Sequence, residues 1–198
     1  MNESVGWLAV FFSAVFTSNI LLTNYLGMCS FLAVSREVKT SLGLGAAVIF
    51  VMAITAPLNW LVNQYILVPL DLEHLRFIVF IVVIAAFTQI VEMVIDRFSE
   101  SLYAALGIFL PLITVNCAIL GASLFMIIRK YTLAASFAYG VGSGVGWALA
   151  ILAMAGIRQE RTNGSRLPRG LEGPGITLII AGLMALAFIG FSGMLPAY

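Results

Sequence analysis

The chain has 198 residues, 62% of them apolar and 10% charged, with a formal net charge of +1 and a mean hydropathy of +1.08. A soluble domain carries about 25% charged and about 45–50% apolar residues, so one interior cannot hide this much apolar surface and lipid must solvate much of it. A charge this close to zero argues against nucleic-acid binding, and two cysteines are too few for a disulfide scaffold.

Six apolar segments follow one another: Val5–Val34, Leu42–Leu67, Phe77–Ile95, Leu102–Ile128, Leu133–Ile157 and Ile176–Leu195. Each meets the roughly 20-residue requirement for a helix crossing the hydrocarbon core. The expected fold is therefore an all-α membrane protein with six transmembrane helices in a single domain, 1–198. No cleavable signal peptide is expected, because no basic n-region precedes the first segment and that segment is too long for an h-region. At 30 residues it would make a helix of about 45 Å against a core of about 30 Å. It and the fourth segment are expected to be broken helices, with Gly27 and Pro111 offering places to break. Cys29 lies in the first, within Tyr25-Leu26-Gly27-Met28-Cys29-Ser30, after Asn19 and Asn24, which are candidate donors toward it or packing residues.

The second segment carries Asn59, Asn63 and Gln64, read as hydrogen bonds between helices. His74, the only histidine, falls in a short connection and reads as a solvated interfacial residue. The third segment closes on Gln89-Ile90-Val91-Glu92-Met93-Val94-Ile95-Asp96-Arg97. Glu92 and Asp96 share a helical face. Asp96 and Arg97 belong at the interface, and Glu92 sits a turn deeper, where a carboxylate marks an ion or proton path by default. The competing reading is a carboxylate that snorkels or caps a neighbour. Cys117 is near the middle of the fourth segment, in Leu110-Pro111-Leu112-Ile113-Thr114-Val115-Asn116-Cys117. The fifth holds Gly140-Val141-Gly142-Ser143-Gly144-Val145-Gly146. It is not a phosphate loop, since no strand precedes it and no lysine follows. Small residues at this density let helices approach closely, and Gly182, Gly190 and Gly193 in the last segment support the same view. Arg158–Pro174 reads as a polar loop.

An odd number of crossings reverses direction, so two similar halves, about 1–98 and 99–198, would be inverted three-helix repeats. With six crossings, one face collects Arg36, Lys39, Arg97, Arg158, Arg161, Arg166 and Arg169, and the other Arg76, Arg129 and Lys130. The richer face is expected in the cytoplasm, and both termini on the opposite, periplasmic side.

Cys29 and Cys117 lie in the first apolar segment of their respective halves, 88 residues apart. The parallel placement suggests a matched pair of ligands. Two thiols are too few for a four-thiolate iron–sulfur cluster, so a partner chain would bring the rest. Buried packing thiols and a dithiol–disulfide couple stay open, and zinc is weaker with no histidine nearby. A stand-alone secondary transporter built on the inverted repeat is the competing function.

Leu26–Ser35, Gly107–Ala118, Gly142-Ser143-Gly144-Val145-Gly146-Trp147 and Gly182-Leu183-Met184-Ala185-Leu186 resemble the membrane-protein family shared by Na⁺-translocating NADH:quinone oxidoreductases and Rnf complexes. The likeness covers essentially the whole chain. Met28 after Gly27, Asp96-Arg97 and the Gly-Ser-Gly-Val-Gly-Trp run favour the branch of the quinone reductase's E subunit over that of the Rnf complex's A subunit. The resemblance implies one 2Fe–2S cluster within the bacterial inner membrane, with Cys29 and Cys117 as two ligands and the sister D subunit supplying two more. It implies electron relay between flavin-bearing subunits, coupled to Na⁺ translocation, with Glu92 matching an acidic position tied to Na⁺ movement. It places FAD, FMN and riboflavin, with NADH and quinone, on other members of a complex in which A, B, C, D and F subunits stand beside this chain.

Overall fold

A computed structural model describes residues 6–98, 110–164 and 174–190. Every regular element among them is helical. The first apolar segment is interrupted. Helix α1 (Trp7–Phe12) widens into a π-helical stretch, Ser13–Thr17, and stops. A run of turns over 18–27 leads to α2 (Met28–Val34). Helix α3 (Val38–Val62) continues as π-helix through Asn63–Leu67. A 3-10 turn, Glu73–Leu75, opens into α4 (Arg76–Phe98). The fourth segment is also interrupted, into α5 (Leu110–Thr114) and α6 (Cys117–Ile128). Helices α7 (Leu133–Gly164) and α8 (Pro174–Ile189) complete the described chain.

Three stretches, Val38–Leu67, Glu73–Val94 and Leu133–Gln159, are long and apolar enough to cross a bilayer, and Trp7–Thr17, Leu112–Ile128 and Gly175–Ile189 are shorter apolar helices. The six expected segments thus each hold helix, and three of them reach full spanning length in the described residues.

Helix α7 is the hub. Of its most apolar window 61% is buried inside the chain, against 17% for α4, where Phe80 and Ile84 are buried and Phe77, Ile78, Ile81, Val82 and Ile90 face outward. The glycine run makes this possible. Residues two apart on a helix lie about 200° apart around its axis, so alternating glycines clear opposite faces. Gly140 and Gly144 admit α3: a Cβ on them would stand 2.8 Å from the Met52 carbonyl oxygen and 2.9 Å from Ile49 Cα. Gly142 and Gly146 admit the α1 strut, with Cβ positions 2.8 Å from the Phe11 carbonyl oxygen and 3.0 Å from that of Val15. Gly182 is different, because nothing approaches its Cβ position within 4 Å. It does not mediate close packing among the described residues, and Gly193 lies outside them.

Polar pins hold the helices in register. Asn59 Nδ2 donates to Ser123 Oγ at 2.9 Å, joining α3 to α6. Asn63 Oδ1 accepts from Arg76 Nε at 2.9 Å, and Trp60 Nε1 donates to the Tyr131 carbonyl at 2.8 Å. Gln64 is exposed instead of bridging helices. His74 is exposed in its turn, as the sequence implies. At the far end of the molecule, Arg158 donates to Ser35 Oγ at 2.8 Å and to the Leu32 carbonyl at 3.1 Å. The expected loop from Arg158 begins later: α7 runs on to Gly164, since Arg158-Gln159-Glu160-Arg161 are strong helix formers and the first glycine arrives only at 164. Residues 165–173 lie outside the described residues.

Candidate functional site

Each interrupted helix restarts at a cysteine. Cys29 is the second residue of α2 and Cys117 the first of α6, and both are exposed free thiols. Gly27 closes the first interruption with φ +82, a left-handed conformation that costs a side-chain-bearing residue about 1–2 kcal/mol. Its amide donates to Cys117 Sγ at 2.9 Å. Two residues of chain, at most about 7 Å, connect Gly27 to Cys29. The backbone that carries one thiol is thereby docked on the sulfur of the other.

Asn19 builds the first interruption. It is fully buried, and its amide makes four hydrogen bonds. Nδ2 donates to the Val15 carbonyl at 3.0 Å and to the Gly146 carbonyl at 2.9 Å, while Oδ1 accepts from the amides of Leu21 and Leu22 at 3.0 and 3.2 Å. One side chain therefore ends the π-helical stretch, fastens it to α7 and starts the turn. Leu26 then packs into the space left by the missing side chain of Gly121, and Ser30 Oγ donates back to the Gly27 carbonyl at 3.1 Å. The two candidate donors near Cys29 differ in role. Asn19 supports backbone and no sulfur, and Asn24 is half-buried in the turn.

The second interruption is short. Pro111 lies inside α5 and the break falls later, at Val115–Asn116. Asn116 is a favoured N-cap. Its backbone is extended (φ −72, ψ 112) and its Oδ1 accepts from the Ala118 amide at 3.0 Å. Thr114 Oγ1 donates to Thr88 Oγ1 at 3.0 Å, anchoring α5 to α4.

Trp147 closes the floor beneath Gly27. Its indole is fully buried, and Nε1 stands 2.6 Å from the position a Cβ on residue 27 would take. Ala118 Cβ and Asn116 Oδ1 each stand 3.1 Å from that same position. Two buried donors flank this junction without an acceptor among the described residues, Trp147 Nε1 and Asn116 Nδ2. In the sequence Trp147 is only the end of a glycine run and Asn116 only a polar neighbour of a cysteine. The N-cap preference of Asn116, just before a helix restart, is the legible signal; nothing local marks Trp147, whose partner is 120 residues away.

Glu92 stands apart from the thiols in its contacts. It is half-buried on α4 and accepts from Gln89 Nε2, on its own helix, at 3.2 Å. The Asp96 side chain lies outside the described residues. No three His, Cys, Asp or Glu side chains gather into a metal-holding group among the described residues.

Broken apolar helices around a glycine-lined hub, with an exposed thiol at each restart, define a multi-pass membrane protein. A family model described as "Rnf-Nqr subunit, membrane protein" matches residues 7–195, and the chain belongs to that family. It is 54% identical over 198 residues to a Psychromonas ingrahamii protein named as the E subunit of a Na(+)-translocating NADH-quinone reductase, covering 95% of this chain and 98% of the relative. Proteins of the same name from Tolumonas auensis and Nitrosomonas europaea are 55% and 51% identical, covering 95% and 98% of this chain and 98% and 99% of theirs.

Proposed function

We propose that this chain is the E subunit of a Na⁺-translocating NADH–quinone reductase and that Cys29 and Cys117 hold half of a 2Fe–2S cluster inside the membrane. The observation that carries the reading is the Gly27 amide on Cys117 Sγ, which brings together the two helix restarts that carry cysteines 88 residues apart in sequence. The donor set suits the group. Such clusters take four thiolates as a rule, and this chain offers two, exposed and free, leaving the other two to the sister D subunit. Asn116 Nδ2, buried without an acceptor among the described residues, suits a sulfur-rich neighbour. When bound, the cluster supplies one-electron transfer.

The chain's own residues do the holding. The N–H of Gly27 stabilises negative charge on the Cys117 sulfur, because hydrogen bonds to a charged acceptor are about twice as strong as neutral ones. Irregular backbone is tolerated at membrane depth where protein surrounds it; this chain covers the inner side of the breaks, and the D subunit would cover the side where Tyr25 and Val115 are exposed. The depth is consistent with a relay inside the bilayer. From Cys29 to Ser35 is about 9 Å of α2, and from Cys117 to Arg129 about 18 Å of α6, together close to the roughly 30 Å core. Arg158 and Ser35 meet at one end, and Trp60, Tyr131 and Arg129 at the other. These ends correspond to the cytoplasmic and periplasmic faces of six crossings arranged as two inverted halves. Glu92 serves the Na⁺ route.

Iron and acid-labile sulfide in the purified complex, before and after Cys29→Ala and Cys117→Ala, test this. Loss of the cluster and of NADH-to-quinone turnover in each variant is expected. Full cluster content with normal turnover in both would remove the proposal. Na⁺-coupled flux in vesicles containing this chain alone would favour a secondary transporter instead.

A further inference from the structure

We infer that Trp147 is a positioning residue that sets the reduction potential of the site through Gly27. The inference rests on the cluster reading above. Three observations carry it. The Gly27 amide donates to Cys117 Sγ at 2.9 Å. Gly27 holds this contact in a left-handed conformation, φ +82. The Trp147 indole, fully buried on the hub helix, fills the volume a side chain at 27 would need, with Nε1 2.6 Å from the Cβ position. The backbone just before Trp147 is pinned, since the Gly146 carbonyl accepts from Asn19 Nδ2 at 2.9 Å. The indole thus acts as a fixed plate behind the peptide that faces the sulfur.

The sign of the effect follows from electrostatics. Reduction places more negative charge on the sulfurs. An N–H aimed at a ligand sulfur gains strength in the reduced state and raises the potential, one of the recognised levers on such centres. A smaller side chain at 147 leaves the Gly27 peptide free to rotate, weakens the contact in both states, and weakens it more where the charge is larger. The potential then falls.

The test is an EPR-monitored redox titration of the intact complex carrying Trp147→Phe or Trp147→Leu, with iron and acid-labile sulfide measured on the same samples. The expected result is a cluster present at wild-type content with a more negative midpoint potential, shifted further in Trp147→Leu than in Trp147→Phe. The exchangeable-proton ENDOR coupling, identified in the wild type by its disappearance in D₂O, should be smaller in the variants in H₂O. An unchanged midpoint and unchanged coupling at full cluster content in both variants would overturn the inference while leaving the cluster reading intact. Absence of any cluster in the wild-type complex would overturn the reading itself. Where Trp147→Leu does not assemble, Trp147→Phe decides, because it keeps a ring in the floor and removes the indole nitrogen side that meets Gly27.

Discussion

The two interruptions that present the cysteines are built in opposite ways. The first spends ten residues, 18–27, and is held by one buried amide, one left-handed glycine and one indole, with contacts from Asn19 to α7 and from Leu26 to α6. The second uses two residues, Val115 and Asn116, and is an N-cap local to α6. A break made by tertiary contacts depends on distant helices being in place. A break made by a cap folds from its own sequence. The difference predicts unequal tolerance to change on the two sides of one site.

Gly27→Ala should have the largest effect. It combines a left-handed backbone, worth about 1–2 kcal/mol, with overpacking against Trp147, worth about 1–3 kcal/mol. A lower thermal midpoint in detergent and reduced iron content are expected, whereas Val115→Ala at the other break, 76% exposed, should stay within about 0.5 kcal/mol. Equal losses at the two positions would break the contrast. Asn19→Ala comes next, because it strands buried backbone groups at an expected ~2–4 kcal/mol. Asn116→Ala removes a single cap and should cost about 1 kcal/mol; denaturation of both variants in the same detergent measures the ratio. The smallest stability effect belongs to Glu92→Gln, whose hydrogen bond to Gln89 is an exposed contact on its own helix. Its expected signature is functional: a weaker Na⁺ dependence of turnover with the thermal midpoint unchanged. A Na⁺ response identical to wild type would dissociate Glu92 from the ion route.

Much of this architecture is legible in the residues. The length of the first segment against the bilayer is better absorbed by a broken helix than by a tilted one, and Gly27 caps the helix that restarts there. The spacing of Gly140, Gly142, Gly144 and Gly146 announces close approach on two faces, and α3 and α1 occupy them. The break falls four residues past Pro111, at Val115–Asn116, because Asn116 caps the helix that follows. The polarity of Arg158–Arg161 suggests a loop, although those side chains favour helix and their polarity speaks only of exposure. Trp147 beneath Gly27 is illegible because a contact between residues 120 apart leaves no local pattern. Asn19 stands out as a polar residue in an apolar segment, but its role in ending one helix and fastening it to another needs the position of Gly146.

The most direct test is a density map of the assembled complex with iron anomalous scattering or equivalent metal identification. The account predicts Cys29 Sγ and Cys117 Sγ at the edge of one metal feature, with two thiolates from a neighbouring polypeptide completing it. Two thiols pointing to separate places, with no metal between them, would contradict it.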